Sequence, residues 1–482
     1  MPRSIPPRLK PNARLLAADA IANAAAQFPA IDPQSFDLAS LEARERRLAL
    51  AIHRTTLQRW LTLEYMINLF LKRPLRSLEP AMQGVLLTGA AQLLFMDRLP
   101  VHAVVDESVT IARRRIRPGA AGMVNAVLRR ISEQADQPAR GSAWSPAADR
   151  LPLDDGFLPL RSDVLPPVSF DDRPKLARHL VAATSHPLNL IERWLKQFDV
   201  HTVIEFCRHG TKTPPMIVAV EEHLGEHHPD KVVLLPSGDQ AGNEAKERRA
   251  PIAPPCRDGA PADGAPHERQ GFIIWDDTHA ELTAFLKGHP MRRVQDVTAA
   301  EAVGATSALN PNSIIDYCAG RGTKTRQLAA MHPDATIIAT DKDPGRMRAL
   351  SDSFKEQPRV KVIALPQVDA QKPVDLLVLD VPCTNTGVLA RRPEARYRFN
   401  EASLRSLVNL QRAICQKTFR LVKPGGHVLY STCSLDKDEN EHQIAWLIQE
   451  TGCTLVLEKP TLPGGEGSTY HDGGYYALLK MK

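Results

Sequence analysis

The 482-residue sequence contains no run of eighteen apolar residues, and its cysteines are few and scattered. A helix that crosses a membrane needs about 20 predominantly apolar residues, so we expect none. The N-terminus has no apolar core followed by a cleavage site, which argues against a secretory signal peptide. No Cys-x-x-Cys pair occurs, so a structural zinc site is not expected and we predict no metal.

Cysteine usage and charge indicate the compartment and the class of partner. Seven cysteines, an odd number without close spacing, are typical of free thiols in a reducing cytoplasm, where we expect this protein. The formal net charge of +6 permits a nucleic-acid partner without requiring one. The hydrophobic content of 43% is ordinary for a globular protein. We expect this protein to be a monomer and to have no membrane partner.

Periodicity and composition divide the chain into four predicted regions. Apolar residues recur at helical spacing near the N-terminus, whereas strand-like and helical runs alternate near the C-terminus. The alternation predicts a mainly parallel, doubly wound sheet. The predicted regions are an all-helical bundle at 1–134, an extended Pro-rich linker at 135–175, a connecting region at 176–300 with a disordered insertion at about 235–269, and an α/β domain at 301–482.

Two cysteines follow strand-like runs in the α/β domain. Cys383 comes shortly after Val374–Asp380, and Cys433 comes shortly after His427–Ser431. In an open α/β sheet, ligands bind where the strands end, so both thiols and Asp380 should face one crevice. This combination suits nucleophilic attack on an electron-poor ring such as a pyrimidine.

A loop of small residues after the first strand of this domain is the candidate cofactor site. A phosphate-binding P-loop would need glycine where Cys318 and Thr323 stand. A dinucleotide fingerprint would need a third glycine where Thr325 stands, so it is also a poor match. Asp316, just before a Gly-x-Gly loop, suits S-adenosylmethionine, whose amino group is cationic and which carries no pyrophosphate.

Further carboxylates are predicted at successive strand ends. Asp341 is placed to accept hydrogen bonds from the ribose hydroxyls of the cofactor, and Asp369 is placed to contact the edge of its adenine ring. The candidate cofactor-binding residues are Cys318, Ala319, Gly320, Arg321, Gly322, Thr323, Lys324, Asp341, Asp369 and Asp380.

These motifs resemble the RsmB/Sun family of RNA cytosine-C5 methyltransferases. The family patterns Cys-Ala-Ala-Pro-Gly-Gly-Lys-Thr, Asp-Ala-Pro-Cys-Ser-x-x-Gly and Thr-Cys-Ser match Cys318–Thr325, Asp380–Gly387 and Thr432–Ser434. Shorter similar stretches are Gln295-Asp296, Arg391–Pro393, Leu410-Gln411, Lys423–Gly426 and Glu439-Asn440. Near the N-terminus, Asp97–Glu107 and Val124–Arg130 resemble the NusB-like RNA-binding domain that is fused to this enzyme in bacteria.

The resemblance implies a fold and a chemistry. It implies a NusB-like bundle joined to a Rossmann-like class I methyltransferase that uses S-adenosylmethionine and acts on RNA, specifically small-subunit ribosomal RNA. Cys433 is then the nucleophile that adds to cytosine C6, and Cys383 assists loss of the C5 proton and product release. Asp380 hydrogen-bonds the base. Methylation of tRNA, or a non-catalytic RNA-binding or ribosome-assembly role, is the alternative.

The cofactor loop departs from the Pro-Gly-Gly part of the family pattern at two positions. Arg321 and Thr323 replace a proline and a glycine. If position 323 needed a positive φ, threonine would cost about 1 kcal/mol or more there. Arg321 also places a cation near a sulfonium, so we hypothesise weaker cofactor affinity.

Arginines mark two candidate RNA contacts. A basic segment without acidic residues, between Ser108 and Ser132, is read as a phosphate-binding face, although a solvated helix face is the alternative. A second group follows the Cys383 loop. The candidates are Arg113, Arg114, Arg115, Arg117, Arg129 and Arg130 in the first group, and Arg391 and Arg392, with Arg396 and Arg398, in the second.

Overall fold

The computed structural model describes residues 10–32, 37–220, 264–269, 271–275, 279–289 and 292–482. Most of the predicted insertion at 235–269 lies outside this part of the chain. Within the described residues, no helix is both long and apolar enough to span a bilayer.

The N-terminal region is helical, as predicted. The Asn12 side chain caps the first helix by accepting from the Leu15 N–H at 2.9 Å, and Pro80 begins the fourth helix, where a missing N–H costs nothing. A short π-helical turn, Ala112–Ile116, follows the fifth. The helices are α1 (Ala13–Gln27), α2 (Ala43–Gln58), α3 (Trp60–Asn68), α4 (Pro80–Phe95), α5 (Val101–Ile111) and α6 (Ala120–Gln134).

The segment predicted as an extended linker packs against these helices. It contains a small antiparallel hairpin, β1 (Arg150–Pro152) and β2 (Phe157–Pro159). Its prolines keep the chain extended, but Trp144 and several leucines between them are buried in the same core as α1 to α6. The extended conformation is therefore compatible with burial. Three helices continue this core: α7 (Arg173–Thr184), α8 (Leu188–Gln197) and α9 (Val200–Gly210).

A small antiparallel sheet lies between the helical region and the α/β domain. Its strand order is β4-β5-β3-β6. The elements are β3 (Met216–Ala219), β4 (Gly264–Pro266), β5 (Phe272–Trp275), α10 (His279–Lys287) and β6 (Arg293–Val294).

The C-terminal region is a seven-stranded sheet flanked by helices. Its elements are α11 (Val297–Gly304), β7 (Ser313–Asp316), α12 (Thr323–Met331), β8 (Thr336–Ala339), α13 (Pro344–Ser353), β9 (Val360–Val362), α14 (Leu365–Val368), β10 (Val374–Asp380), α15 (Pro393–Arg398), α16 (Glu401–Thr418), β11 (Val422–Thr432), α17 (Glu441–Thr451), β12 (Thr454–Thr461) and β13 (Gly474–Lys480).

The strand order of this sheet positions a ligand crevice. The order is β12-β13-β11-β10-β7-β8-β9, in which β7 to β11 run parallel and β13 pairs antiparallel with both neighbours. The predicted doubly wound, Rossmann-like fold is confirmed. From β7 the chain adds β8 and β9 on one side, and it then returns to add β10 and β11 on the other side of β7. Such folds bind ligands where this direction changes, in the crevice beyond the carboxyl ends of β7 and β10.

A buried arginine joins the helical region to the sheet domain. Arg396 on α15 is fully buried, and its guanidinium donates to the carbonyl oxygens of Gln58, Thr184 and Gly210 at 3.3, 3.5 and 2.6 Å. These three residues end α2, α7 and α9, whose last carbonyls lack partners within the helix. The partial negative charge of three helix ends thus compensates a buried cation. Arg396 is therefore structural, contrary to the sequence-based expectation that it lies beside RNA.

Candidate active site

The loop after β7 forms an open cradle. Gly320 and Gly322 have φ values of 61° and 89°, which few other residues adopt. A Cβ on Gly322 would lie 2.5 Å from the Phe354 ring, whereas one on Gly320 would meet no described atom within 4 Å. The positive φ values fall on the glycines and not on Thr323, which begins α12. The condition under which threonine would be costly is therefore not met.

Asp316 offers an acceptor to this cradle. Its carboxyl group is fully buried, and one oxygen accepts from the Thr325 hydroxyl at 2.7 Å. The other oxygen has no hydrogen-bond partner among the described residues. Burial raises the pKa of Asp316 to about 7, since a desolvated carboxylate is unfavourable without a counter-charge. A cationic amino group such as that of S-adenosylmethionine would satisfy this oxygen, so the residues fit the predicted cofactor.

Asp341 reinforces the same loop from the end of β8. One of its oxygens accepts from the Gly320 N–H at 3.0 Å, and the other accepts from the Asp343 N–H at 2.8 Å. The Arg346 guanidinium lies 3.7 Å from the carboxylate. These bonds fix the carboxylate beside the cradle, where each oxygen keeps a second lone pair for a ligand hydroxyl.

Asp369 is held by surface cations, and Cys318 is a buried thiol. The Asp369 carboxylate forms ion pairs with Lys417 at 2.8 Å and with Arg420 at 3.6 Å, at and just after the end of α16, while one of its oxygens is buried without a hydrogen-bond partner among the described residues. Burial and the carboxylates of Asp316 and Asp380 raise the pKa of the Cys318 thiol well above its usual value. Cys318 is therefore a neutral thiol. The predicted contact of Asp369 with adenine stays a prediction.

Lys324 links the cofactor loop to the end of β10. Its ammonium group forms an ion pair with Asp380 and lies 3.3 Å from the Ser431 hydroxyl, which itself donates to Asp380 at 2.9 Å. The Asp380 side chain keeps 37% of its surface exposed. Asp380 is thus held in place by two partners while still facing the crevice.

The two predicted cysteines meet at the ends of β10 and β11. The sulfur atoms of Cys383 and Cys433 lie 3.3 Å apart as free thiols. The hydrogen bond with Cys433, together with burial, raises the pKa of Cys383 well above its usual value. Cys383 is therefore a proton-bearing thiol beside the sulfur of Cys433.

A buried glutamate anchors the Cys383 loop. The Glu439 carboxylate accepts from the Thr384 N–H and from the Gln411 amide, each at 3.0 Å, and also from the Thr384 hydroxyl. Gln411 in turn donates to the Pro382 carbonyl at 3.0 Å. Burial raises the pKa of Glu439 to about 7.

The next residue, Asn440, anchors the Cys433 loop. Its side chain accepts from the Thr432 hydroxyl at 2.6 Å and donates to the Ser434 carbonyl at 3.0 Å, on either side of Cys433. The two adjacent residues thus hold one cysteine loop each. Neither was among the candidate site residues, although Glu439-Asn440 was one of the stretches that carried the family resemblance.

The arginines fall into two classes. Arg391 is engaged inside the protein, with Asp472 at 2.6 Å, Asp296 at 3.0 Å and the Pro215 carbonyl at 2.9 Å, so it supports the loop instead of facing RNA. Arg392 is exposed. The N-terminal candidates are all exposed: Arg113, Arg114, Arg115, Arg117, Arg129 and Arg130.

Two family profiles match this chain. The family described as 16S rRNA methyltransferase RsmB/F matches residues 305–472, which include the cofactor loop and both cysteine loops. The NusB family matches residues 11–133, which form the N-terminal helices.

Individual relatives match over most of both chains. Ribosomal RNA small subunit methyltransferase B of Erwinia tasmaniensis is 27% identical over 434 residues, 86% of each chain. The protein of that name from Escherichia coli is 26% identical over 439 residues, 87% of each chain. A crystal structure of the protein PH0851 superposes with a TM-score of 0.64 at 22% identity, covering 99% of this chain and 100% of that one, which supports the fold.

We predict that Glu439 makes the protein less stable as pH rises. Its pKa is 4.5 when exposed and about 7 in the folded protein, so the folded state binds this proton more tightly. Stability should fall by about 3 kcal/mol between those pH values, then level off. Glu439→Gln carries no ionisable group and should remove that part of the slope in urea unfolding measured from pH 4.5 to 7.5.

The control is Glu450→Gln, which changes an exposed glutamate on α17 and should leave the slope unaltered. If Glu439→Gln and the parent protein lost stability equally over this range, Glu439 would not carry the predicted buried charge.

Proposed function

We propose that this chain, a member of the RsmB/F family of S-adenosylmethionine-dependent RNA cytosine-C5 methyltransferases with an N-terminal NusB domain, methylates 16S ribosomal RNA. The observation that carries the chemistry is the pair of thiols 3.3 Å apart beside Asp380 in the sheet crevice. The similarity to small-subunit rRNA methyltransferases, over 86% and 87% of each chain, supports the choice of RNA. We further propose that the protein acts as a monomer in the cytoplasm.

Cys433 is the proposed nucleophile. Cytosine C5 is a poor nucleophile until a group adds at C6, and a thiolate can add there covalently. The Cys433 thiol loses its proton to solvent, its sulfur lone pair forms the bond to C6, and electron density moves to C5. When bound, S-adenosylmethionine supplies the methyl group. The target base has to leave its stack to reach the two sulfurs, so it is single-stranded or flipped when it reacts.

Cys383 and Asp380 have complementary proposed roles. Cys383 assists loss of the C5 proton, after which the C6–sulfur bond breaks and the product leaves. Asp380 hydrogen-bonds the base at N3 or at the amino group. Its ion pair with Lys324 fixes the carboxylate at the crevice, and its remaining exposure leaves an oxygen for the base.

The cofactor is proposed to lie over the loop after β7. Asp316, with its unpaired oxygen, is the candidate for the cationic amino group, and Asp341 for the ribose hydroxyls. The backbone of 318–324 forms the cradle, with Gly320 at its open side. Arg321 is exposed, so solvent screens its cation.

The substrate is tested by incubating the protein with labelled S-adenosylmethionine and unmodified 16S ribosomal RNA, then mapping the labelled base. We expect one 5-methylcytosine in 16S RNA and none in tRNA from the same cells. Label in tRNA alone would establish the tRNA alternative. Absence of label from both RNAs, together with no cofactor binding by calorimetry, would establish the non-catalytic alternative.

The same assay separates the roles of the two cysteines. Cys433→Ala should abolish methylation and any covalent protein–RNA complex, because the bond to C6 cannot form. Cys383→Ala should accumulate a complex stable to denaturing electrophoresis, because product release is impaired. The reverse pattern would exchange the two roles. Cys415→Ala, a buried thiol on α16, is the matched control and should behave like the parent protein.

The N-terminal arginines are proposed to bind RNA phosphates. Arg113, Arg114 and Arg115 are consecutive exposed residues of the π-helical turn, and only Arg115 has a carboxylate partner, Asp19 at 3.3 Å, among the described residues. Replacing all three by alanine should weaken RNA binding regardless of sequence and flatten its dependence on salt. The control removes three exposed arginines of α2, Arg44, Arg46 and Arg47. Equal salt slopes for the two triple variants would refute a specific role for the turn.

A further inference from the structure

The Asp316 carboxyl group lies in an environment that disfavours a negative charge. The residue has no exposed surface, and only one of its oxygens has a hydrogen-bond partner among the described residues, the Thr325 hydroxyl at 2.7 Å. A carboxylate that is removed from water and left with one neutral donor is strongly unfavourable, so such a group tends to hold a proton. The geometry therefore favours a neutral Asp316 when no ligand is bound.

The charged groups around Asp316 do not alter this conclusion. Burial raises its pKa, and the carboxylates of Asp380 and Asp341 add to the effect. The hydrogen bond from Thr325 and the charge of Lys324 act in the opposite direction, but the Lys324 ammonium group is already paired with Asp380. The result is a pKa of about 7 for Asp316. The titratable neighbours are Cys318 in the same loop, Lys324 on α12, Asp341 after β8 and Asp380 at the end of β10, with Arg346 on α13 beside Asp341.

A cationic amino group at the unpaired oxygen would reverse this preference. It would supply a hydrogen-bond donor and a counter-charge together, and both stabilise the ionised carboxylate. The O–H bond of the carboxyl group then breaks, its proton passes to solvent, and the carboxylate oxygen accepts a hydrogen bond from the ammonium group. One positive charge thus replaces another at the same oxygen.

We propose that Asp316 couples cofactor binding to proton release, because its carboxyl group is protonated in the free protein and ionised when the amino group of S-adenosylmethionine is bound. This inference rests on the proposed function, in which the cofactor lies over the loop after β7. Acid and cofactor therefore compete for Asp316, since the complex binds fewer protons than the free protein. With a pKa of about 7 in the free protein, the affinity should fall about tenfold between pH 7 and pH 5.5.

The test counts the protons released when S-adenosylhomocysteine is titrated calorimetrically into the full-length protein at pH 6. This ligand carries the same amino group as the cofactor, and that group is still protonated at this pH. Titration in two buffers of different ionisation enthalpy should show that most of one proton leaves for each ligand bound. The matched ligand is the deamino analogue, in which hydrogen replaces the amino group. It should release no proton and lose no affinity in acid.

Two variants assign the proton to one carboxyl group. Asp316→Asn keeps the size of the side chain but cannot ionise, so it should release no proton and bind S-adenosylhomocysteine equally at pH 5.5 and pH 7. At pH 7 its affinity should be about tenfold below that of the parent protein, the usual scale for a lost hydrogen bond to a charged group. Asp334→Asn, an exposed aspartate before β8, is the control and should keep both the proton release and the pH dependence.

The outcomes separate this inference from the proposed function. Binding of S-adenosylhomocysteine with constant affinity from pH 5.5 to pH 7 and without proton release would overturn the inference alone. Proton release that persists in Asp316→Asn would also overturn it, because another group would then supply the proton. The comparison of the two ligands needs no variant, so it decides the question even if Asp316→Asn does not fold. Failure of S-adenosylmethionine and S-adenosylhomocysteine to bind at any pH would refute the proposed function, and this inference with it.

Discussion

The active site depends on one pair of adjacent buried residues, Glu439 and Asn440. Glu439 binds the loop that carries Cys383, and Asn440 binds both sides of Cys433. The cysteines follow two adjacent strands, fifty positions apart in the chain, and the pairing of β10 with β11 brings their loops together. The Gly387 N–H also donates to the Cys433 carbonyl at 2.9 Å, and the Glu439 and Asn440 side chains add a second connection between the loops. Because the two anchors are consecutive residues, they fix the two cysteine loops relative to each other.

The same site is tied to the helical region. Arg193 on α8 binds Asp436, three residues after Cys433, with two hydrogen bonds of 2.8 and 2.9 Å. Arg396 on α15 neutralises the ends of three helices. A buried cation without partners would be very costly, so these contacts favour a fixed arrangement of the two regions. An RNA bound by the N-terminal helices, as proposed above, would then meet the crevice in a defined orientation.

The sequence was sufficient where local chemistry decides the structure. Strand-end residues such as Asp316, Asp380 and the two cysteines were predictable, because parallel strands bring their carboxyl ends to one edge. Burial was harder to predict. Arginine is usually exposed, so the burial of Arg396 and the internal ion pairs of Arg391 depend on carbonyl and carboxylate partners that come from distant parts of the chain. The packing of the Pro-rich segment against the helices was not predicted, because its buried leucines are scattered and show no periodicity. The left-handed backbone of Asn385 was also missed, because composition does not reveal a backbone angle.

The central claim is that Cys383 and Cys433 share one crevice with their sulfurs in contact. Mild oxidation of the purified protein with oxidised glutathione tests this directly, because exchange converts two neighbouring thiols into a disulfide and releases reduced glutathione. Peptide mapping without reductant should find a Cys383–Cys433 disulfide, and reduction should restore both free thiols. Glutathione attached separately to the two cysteines, with no link between them, would contradict the account.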